Sequence, residues 1–294
     1  MKPALYTTFY PAAKPYLQTW ADSVATQTDQ EFDLWIAVDN VSLDDWLRPR
    51  DAIHWLYAEP GDTPASLRQA AFEEIIQAYD AVIFVDSDDV LLPERVATAK
   101  EALKSYDVYG CALELIDVGG QRLGHTFTST RTDWSEFLSK YNIFGLSNTA
   151  YRTETLVNCL PFPSDTVMVD WLLITNALQN NAHLYFDQTP HMLYRQYQDN
   201  TAKVIAPYTP EQIVRATNLV LEHYTKVLPS SPLPSSLTFH QHLQQRQKDV
   251  QHFTATIADK NVLARYTKAL NALKPVFLWW ECVANEELAS IWKR

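Results

Sequence analysis

The chain lacks what membrane-spanning and disulfide-built proteins need. It has no apolar run of about 18 residues, so no transmembrane span is predicted. Its three cysteines, Cys111, Cys159 and Cys282, are odd in number and show no metal-ligand spacing, which predicts a reduced, cytoplasmic protein. Residues 1–8 are too few and too polar for a signal peptide. Positive charge is also scarce: 24 Lys and Arg against 35 Asp and Glu leave a net charge of −11. That excludes a general nucleic-acid surface, which needs a basic stripe, but not a nucleotide held through a metal ion. No internal repeat is visible. What remains is 294 residues, 47% of them apolar, enough for one large domain or a domain with an appendage.

The most informative stretch is Ala81-Val82-Ile83-Phe84-Val85, a buried-strand pattern, followed at once by Asp86, Ser87, Asp88 and Asp89. In open α/β sheets, ligands bind just outside the carboxyl ends of strands. Clustered carboxylates are hard ligands suited to Mg²⁺ or Mn²⁺. The plainer alternative is an acidic turn capping the helix expected over 94–103 behind Pro93.

Upstream, strands are predicted over 4–9, 34–38 and 53–58. Helices are predicted over 16–28 and 65–78, the second capped by Asp62 or Thr63. This alternation implies parallel βαβ units. Downstream it loosens. A strand or strand pair covers 106–117, with a turn at Gly119-Gly120. A short helix covers 133–140, a strand 148–152, and an apolar helix opens at Val169-Asp170. A short strand covers 183–186, and residues 190–200 read as a polar loop.

From about residue 208 helices dominate, over 210–227, 239–258 and 262–294, with a linker at Pro229, Pro232 and Pro234. His240, His242 and His252 read as part of a solvated helix face. His240 and His242 do not share a face, which disfavours metal binding there. Phe277-Leu278-Trp279-Trp280 reads as packing, the alternative being an interfacial membrane anchor.

The ordered motifs resemble the GT-A-fold glycosyltransferases of family 2, over roughly residues 4–203. Thr8-Phe9-Tyr10 with Leu17, Ser23, Val24, Gln27 and Thr28 is similar to the family's first strand and helix. The run Ala37-Val38-Asp39-Asn40-Val41-Ser42-Leu43-Asp44 resembles its "VDDGSTD" segment, and Arg68-Gln69 falls where Arg-Asn is common. Residues 84–93 closely resemble its DxD segment. Val169-Asp170-Trp171 resembles its late "ED" or "DW" signature, and Tyr194-Arg195-Gln196 with Asn200 its "YRQHxxN" tail. Two departures stand out: Asn40 replaces a second acidic residue, and Tyr197 stands where many relatives carry His.

The resemblance implies a Rossmann-like α/β domain over 1–207, with a mostly parallel sheet, and a helical extension over 208–294. It implies an inverting transfer of a sugar from a nucleotide-diphosphate donor to an acceptor hydroxyl on a glycan or lipid-linked carrier, in bacterial surface glycan synthesis. Thr8, Tyr10 and Asp39 would line the nucleobase pocket, and Arg68 would lie near the nucleotide. Asp86 would contact ribose or metal, and Asp88 would ligate Mn²⁺ or Mg²⁺. Arg195 would neutralise phosphate, and Asp170 would be the general base. The implied location is the cytoplasm, with peripheral contact at the inner membrane face left open by Trp279 and Trp280.

This chemistry is coherent in itself. A divalent cation eases departure of a diphosphate. A carboxylate on the far side of the sugar takes the acceptor's proton, and attack there inverts the anomeric centre. Two other readings compete. A haloacid-dehalogenase-type phosphatase would also place Asp86-x-Asp88 after a strand, but no acidic pair follows later strands. A catalytically degenerate sugar-nucleotide binder is the other. An EF-hand is excluded because no Gly stands at the sixth loop position.

Overall fold

The computed structural model describes residues 1–43, 52–197, 200–229 and 233–293. Asp44, Gln198, Asp199 and linker residues 230–232 lie outside the described residues, as does Arg294. The chain forms two compact units. The first comprises Met1–Thr128, Phe144–Ala177 and Ala182–Gln196; the second comprises Ser129–Ile143, Leu178–Asn181 and Tyr197–Arg294.

The strands are β1 (Pro3–Phe9), β2 (Asp33–Val38), β3 (Ile53–Tyr57), β4 (Ala81–Phe84), β5 (Val90–Leu91), β6 (Val108–Ile116), β7 (Arg122–Phe127), β8 (Thr149–Arg152) and β9 (Leu184–Arg195). The helices are α1 (Leu17–Ala25), α2 (Pro64–Ala78), α3 (Arg95–Ala102), α4 (Trp134–Leu138), α5 (Thr153–Leu156), α6 (Val169–Gln179), α7 (Pro210–Val227), α8 (Leu237–Ile257), α9 (Lys260–Leu270) and α10 (Ala289–Trp292).

All strands belong to the first unit, in the order β3-β2-β1-β4-β8-β6-β9-β5, with β7 paired to β6. β1 to β4 pair in parallel, and so do β6 and β9, whereas β8 runs antiparallel to β4 and β6. The expected mixed α/β unit with a mostly parallel sheet is present. Every residue of β1 is buried, as a strand covered on both faces requires. On one flank Phe9 meets Trp20 of α1 edge-on at 5.2 Å. Elsewhere Phe72 of α2 packs on Tyr6 at 5.1 Å and Phe84 at 4.9 Å.

Of the two caps proposed for α2, Thr63 is the one used. Its hydroxyl accepts from the Ser66 amide, the Ser66 hydroxyl accepts from the Thr63 amide, and Pro64 opens the helix.

The structure adds β5 and β7, which the sequence reading lacks, and buries His240, which that reading places on a solvated helix face. Two further stretches also differ. The short strand at 183–186 is the start of the 12-residue β9, which runs through the expected polar loop as far as Arg195. The register slips between Cys111 and Leu113, where Asp187 faces Cys111 and Pro190 faces Ala112. Pro190 cannot donate to the ladder, so it sits at this bulge, and the strand resumes beyond it. Pairing with β6 holds polar residues that local preference assigns to a loop. The helix expected over 262–294 is α9, which ends at Leu270; Pro275 follows in an irregular segment.

In the second unit α7, α8 and α9 pack on one another. Phe277, Trp279 and Trp280 are buried, and Asn142 and Trp279 form a β-bridge. Packing therefore accounts for this aromatic run; side chains so enclosed are not displayed for insertion into a bilayer. His242 Nδ1 lies 3.0 Å from the Ser135 hydroxyl, and His240 Nε2 lies 3.0 Å from Gln244 Nε2. Among the described residues no helix is long and apolar enough to cross a membrane.

One buried group in α7 sets a pH dependence. His223 is pushed down to about 3, first by burial and then by the charge of Lys226. The unfolded chain takes up this proton below about pH 6.5, while the folded chain refuses it until about 3. The unfolded state therefore binds more protons in that window, and stability falls as pH falls, by up to about 1.4 kcal/mol per pH unit. Urea unfolding at pH 7 and pH 5 should show a smaller acid loss in His223→Leu than in the parent. Equal losses in both would remove His223 from this role.

Candidate active site

The parallel strands bring their carboxyl ends to one sheet edge. Phe9 pairs with Val38, and Tyr6 with Phe84. The loops leaving them are stitched together: the Asp39 amide donates to the Phe9 carbonyl at 2.8 Å and the Val85 amide to the Tyr6 carbonyl at 3.1 Å. The Ser87 hydroxyl donates to the Thr8 carbonyl at 2.7 Å. Thr8, Tyr10, Asp39, Asp86 and Asp88 thus stand along a single edge, as the strand pattern predicts.

Asn40, the departure after β2, has a local explanation. It adopts the left-handed region with φ of 52°, which Asn tolerates better than most residues. Its side-chain amide donates to the Asp39 carboxylate at 2.9 Å. It therefore orients the acid it follows.

The electrostatic centre is Asp86. Its carboxyl is pushed up to about 7, first by burial and then by the charge of Asp88. Arg68 opposes this rise and Asp170 adds to it. Three other residues singled out in the sequence therefore act on Asp86, although they come from α2, the loop after β4, and the first turn of α6. Arg68 is half-buried and its guanidinium also donates to the Pro64 carbonyl at 3.3 Å.

The third carboxylate of the cluster plays a different part. Asp89 is buried, accepting from the Ser147 hydroxyl and from the Arg195 amide, the latter at 2.7 Å. It turns inward and ties the acidic loop to β9. Arg195 is likewise buried. Its Nε donates to the Asp88 carbonyl at 2.8 Å, and its Nη1 to the carbonyls of Asp117 and Val118 at 3.1 and 3.0 Å.

Tyr6 escaped the sequence reading. Its hydroxyl lies 2.9 Å from the Thr8 hydroxyl, burial pushes it up to about 12, and Arg68 opposes that rise. The available signal was a polar-tipped aromatic two residues before Thr8, on the same face of a strand. Ser147 gave no signal, since its partner Asp89 is 58 residues away.

Among the described residues no three His, Cys, Asp or Glu side chains are grouped as a metal centre made by protein alone. The donor set does suit Mg²⁺ or Mn²⁺ shared with a ligand. Such ions are commonly held by one or two carboxylates plus substrate phosphates, and the mutual repulsion of Asp86 and Asp88 is what a divalent charge relieves.

No protein-family model matches the chain. No curated protein sequence matches it either. Solved structures do. S. aureus TarS, residues 1–349, in complex with UDP-GlcNAc, superposes with a TM-score of 0.60 at 17% identity, over 93% of this chain and 80% of that one. The mannosyltransferase PcManGT from Pyrobaculum calidifontis, in complex with GDP-Man and Mn²⁺, gives 0.60 at 15% identity, over 92% and 76%. The chain shares the fold of these proteins, consistent with the GT-A architecture.

Proposed function

We propose that the chain is an inverting, metal-dependent glycosyltransferase that moves a sugar from a nucleotide-diphosphate donor to an acceptor hydroxyl. The observation that carries this reading is the site around Asp86, where Asp88, Arg68 and Asp170 act on one carboxylate at the carboxyl edge of the sheet. The fold shared with structures bound to UDP-GlcNAc and to GDP-Man with Mn²⁺ supports it.

In this reading Thr8, Tyr10 and Asp39 receive the nucleobase, with Asn40 holding the Asp39 carboxylate. Arg68 lies beside the nucleotide and offsets negative charge near Asp86. Asp86 meets the ribose or the cation, and Asp88 ligates the cation. Bound Mn²⁺ or Mg²⁺ supplies Lewis-acid neutralisation of the diphosphate. Asp170 accepts the acceptor's proton as its oxygen attacks the anomeric carbon from the side opposite the leaving group.

The acceptor class is a glycan or lipid-linked carrier in bacterial surface glycan synthesis, on the motif resemblance. The location is the cytoplasm, which suits three buried free thiols. Residues 1–207 serve as the transferase domain and the helices beyond as an extension concerned with acceptor or partner.

A thermal-shift panel of nucleotide-sugars with Mn²⁺ tests this. A true donor at 100 times its dissociation constant should stabilise the protein by about 2.7 kcal/mol. It should also undergo slow, Mn²⁺-dependent hydrolysis. No stabilisation by any nucleotide-sugar would defeat the transferase reading, and binding without hydrolysis or transfer would favour a degenerate binder.

A further inference from the structure

We infer that Arg195 is a positioning residue that clamps the acidic turn at residues 86–89 to the β6–β7 hairpin turn, instead of facing donor phosphate. The purpose of the clamp rests on the transferase reading; its mechanics do not.

The residue is 2% exposed. Its Nε donates to the Asp88 carbonyl, and its Nη1 spans the Asp117 and Val118 carbonyls, at 2.8 to 3.1 Å. The guanidinium carbon lies 4.3 Å from the centre of the Tyr16 ring, a cation–π distance. The same residue's amide donates to Asp89 Oδ1 at 2.7 Å. One residue therefore grips two consecutive members of the acidic turn, by side chain and by main chain.

Other bonds complete the frame. The Asp89 amide donates to the Asp86 carbonyl at 3.2 Å, and the Ser87 hydroxyl donates to the Thr8 carbonyl at 2.7 Å. On the hairpin side Asp117 Oδ1 accepts the Gly119 and Gln121 amides at 2.8 and 2.9 Å. Gly120 has φ of 85°, a left-handed conformation that favours glycine. Both segments joined by Arg195 are thus defined turns.

The physical consequence is preorganisation. Two carboxylates on an unrestrained loop must be ordered when a cation binds, at a cost in affinity. A loop held in advance avoids that cost. Partners that orient metal ligands typically change affinity by about 10- to 100-fold when removed. Lysine cannot replace the clamp, since a single ammonium lacks the planar fork that reaches both turns.

Two measurements on the full chain test this, using Arg195→Lys, Arg195→Met and the milder Tyr16→Leu. Hydrogen exchange by mass spectrometry should show residues 86–92 and 117–121 loosening together. Calorimetric titration of Mn²⁺ in the presence of a nucleoside diphosphate should show about 10- to 100-fold weaker metal binding in the Arg195 variants. Saturating Mn²⁺ should recover most of the nucleotide affinity. If Arg195→Met fails to fold, Arg195→Lys and Tyr16→Leu carry the same readouts.

Unchanged exchange in both segments would overturn the clamp. A nucleotide-binding defect that excess Mn²⁺ leaves in place would make Arg195 a phosphate ligand and overturn it equally. Joint loosening in a protein whose parent form binds no nucleotide with Mn²⁺ would uphold the clamp and reject the transferase reading.

Discussion

Asp170→Asn is expected to lower glycosyl transfer by about 10²-fold or more while leaving Mn²⁺ and nucleotide-sugar binding intact. Asp170 stands in the first turn of α6, near enough for its charge to act on Asp86. A general base serves the acceptor, so its loss should appear in turnover and not in donor affinity. Asparagine preserves the volume and the hydrogen-bonding reach but cannot take up the proton. Steady-state kinetics with calorimetry separate the two effects. Near-normal turnover in the variant would remove Asp170 from the role. So would a product retaining the donor's anomeric configuration by NMR, because a base-assisted single displacement inverts that centre.

The second large effect lies on the donor side. Asp88→Asn is expected to abolish the Mn²⁺-dependent part of nucleoside-diphosphate binding. The reasoning runs from charge: Asp88 is the largest electrostatic influence on Asp86 after burial, and an amide removes the repulsion that a divalent cation relieves. The Asp86 carboxyl should then titrate lower than in the parent, with burial still holding it up, and one carboxylate would remain where the reading has two hold the ion. Calorimetric titration with and without Mn²⁺ reads this directly. Equal metal dependence in parent and variant would disprove ligation by Asp88. Read together, the two variants separate the halves of the site, one losing donor binding and the other losing chemistry.

Local sequence determined the parallel half of the sheet. Strands covered on both faces favour apolar residues, so residues 34–38 of β2 and residues 81–85, through β4, read as hydrophobic runs that end at Asp39 and Asp86, while β1 is apolar over residues 4–6 and carries buried Thr7 and Thr8 before Phe9. The start of α2 was readable for the same kind of reason: the Thr63 cap, Pro64 and Ser66 act within four residues. The acidic edge was readable too, since the residues after Phe84 have no choice but to emerge at a strand end.

Tertiary structure decided what depends on partners far away in the chain. β9 persists through Pro190 to Arg195 because β6 supplies its ladder, from residues 78 to 79 positions earlier in the chain. Asp89 is sequestered by Ser147, and Arg195 is drawn to carbonyls on two separate turns. Residues 129–143 join the compact unit of the C-terminal helices, where the Tyr224 hydroxyl donates to the Ser139 carbonyl at 2.8 Å. Trp279 is buried for a like reason, since it bridges to Asn142, far away in the chain. Hydrophobic runs and caps act over one or two turns of chain, whereas the direction in which a carboxylate or guanidinium points is set by which donors and acceptors the fold delivers beside it.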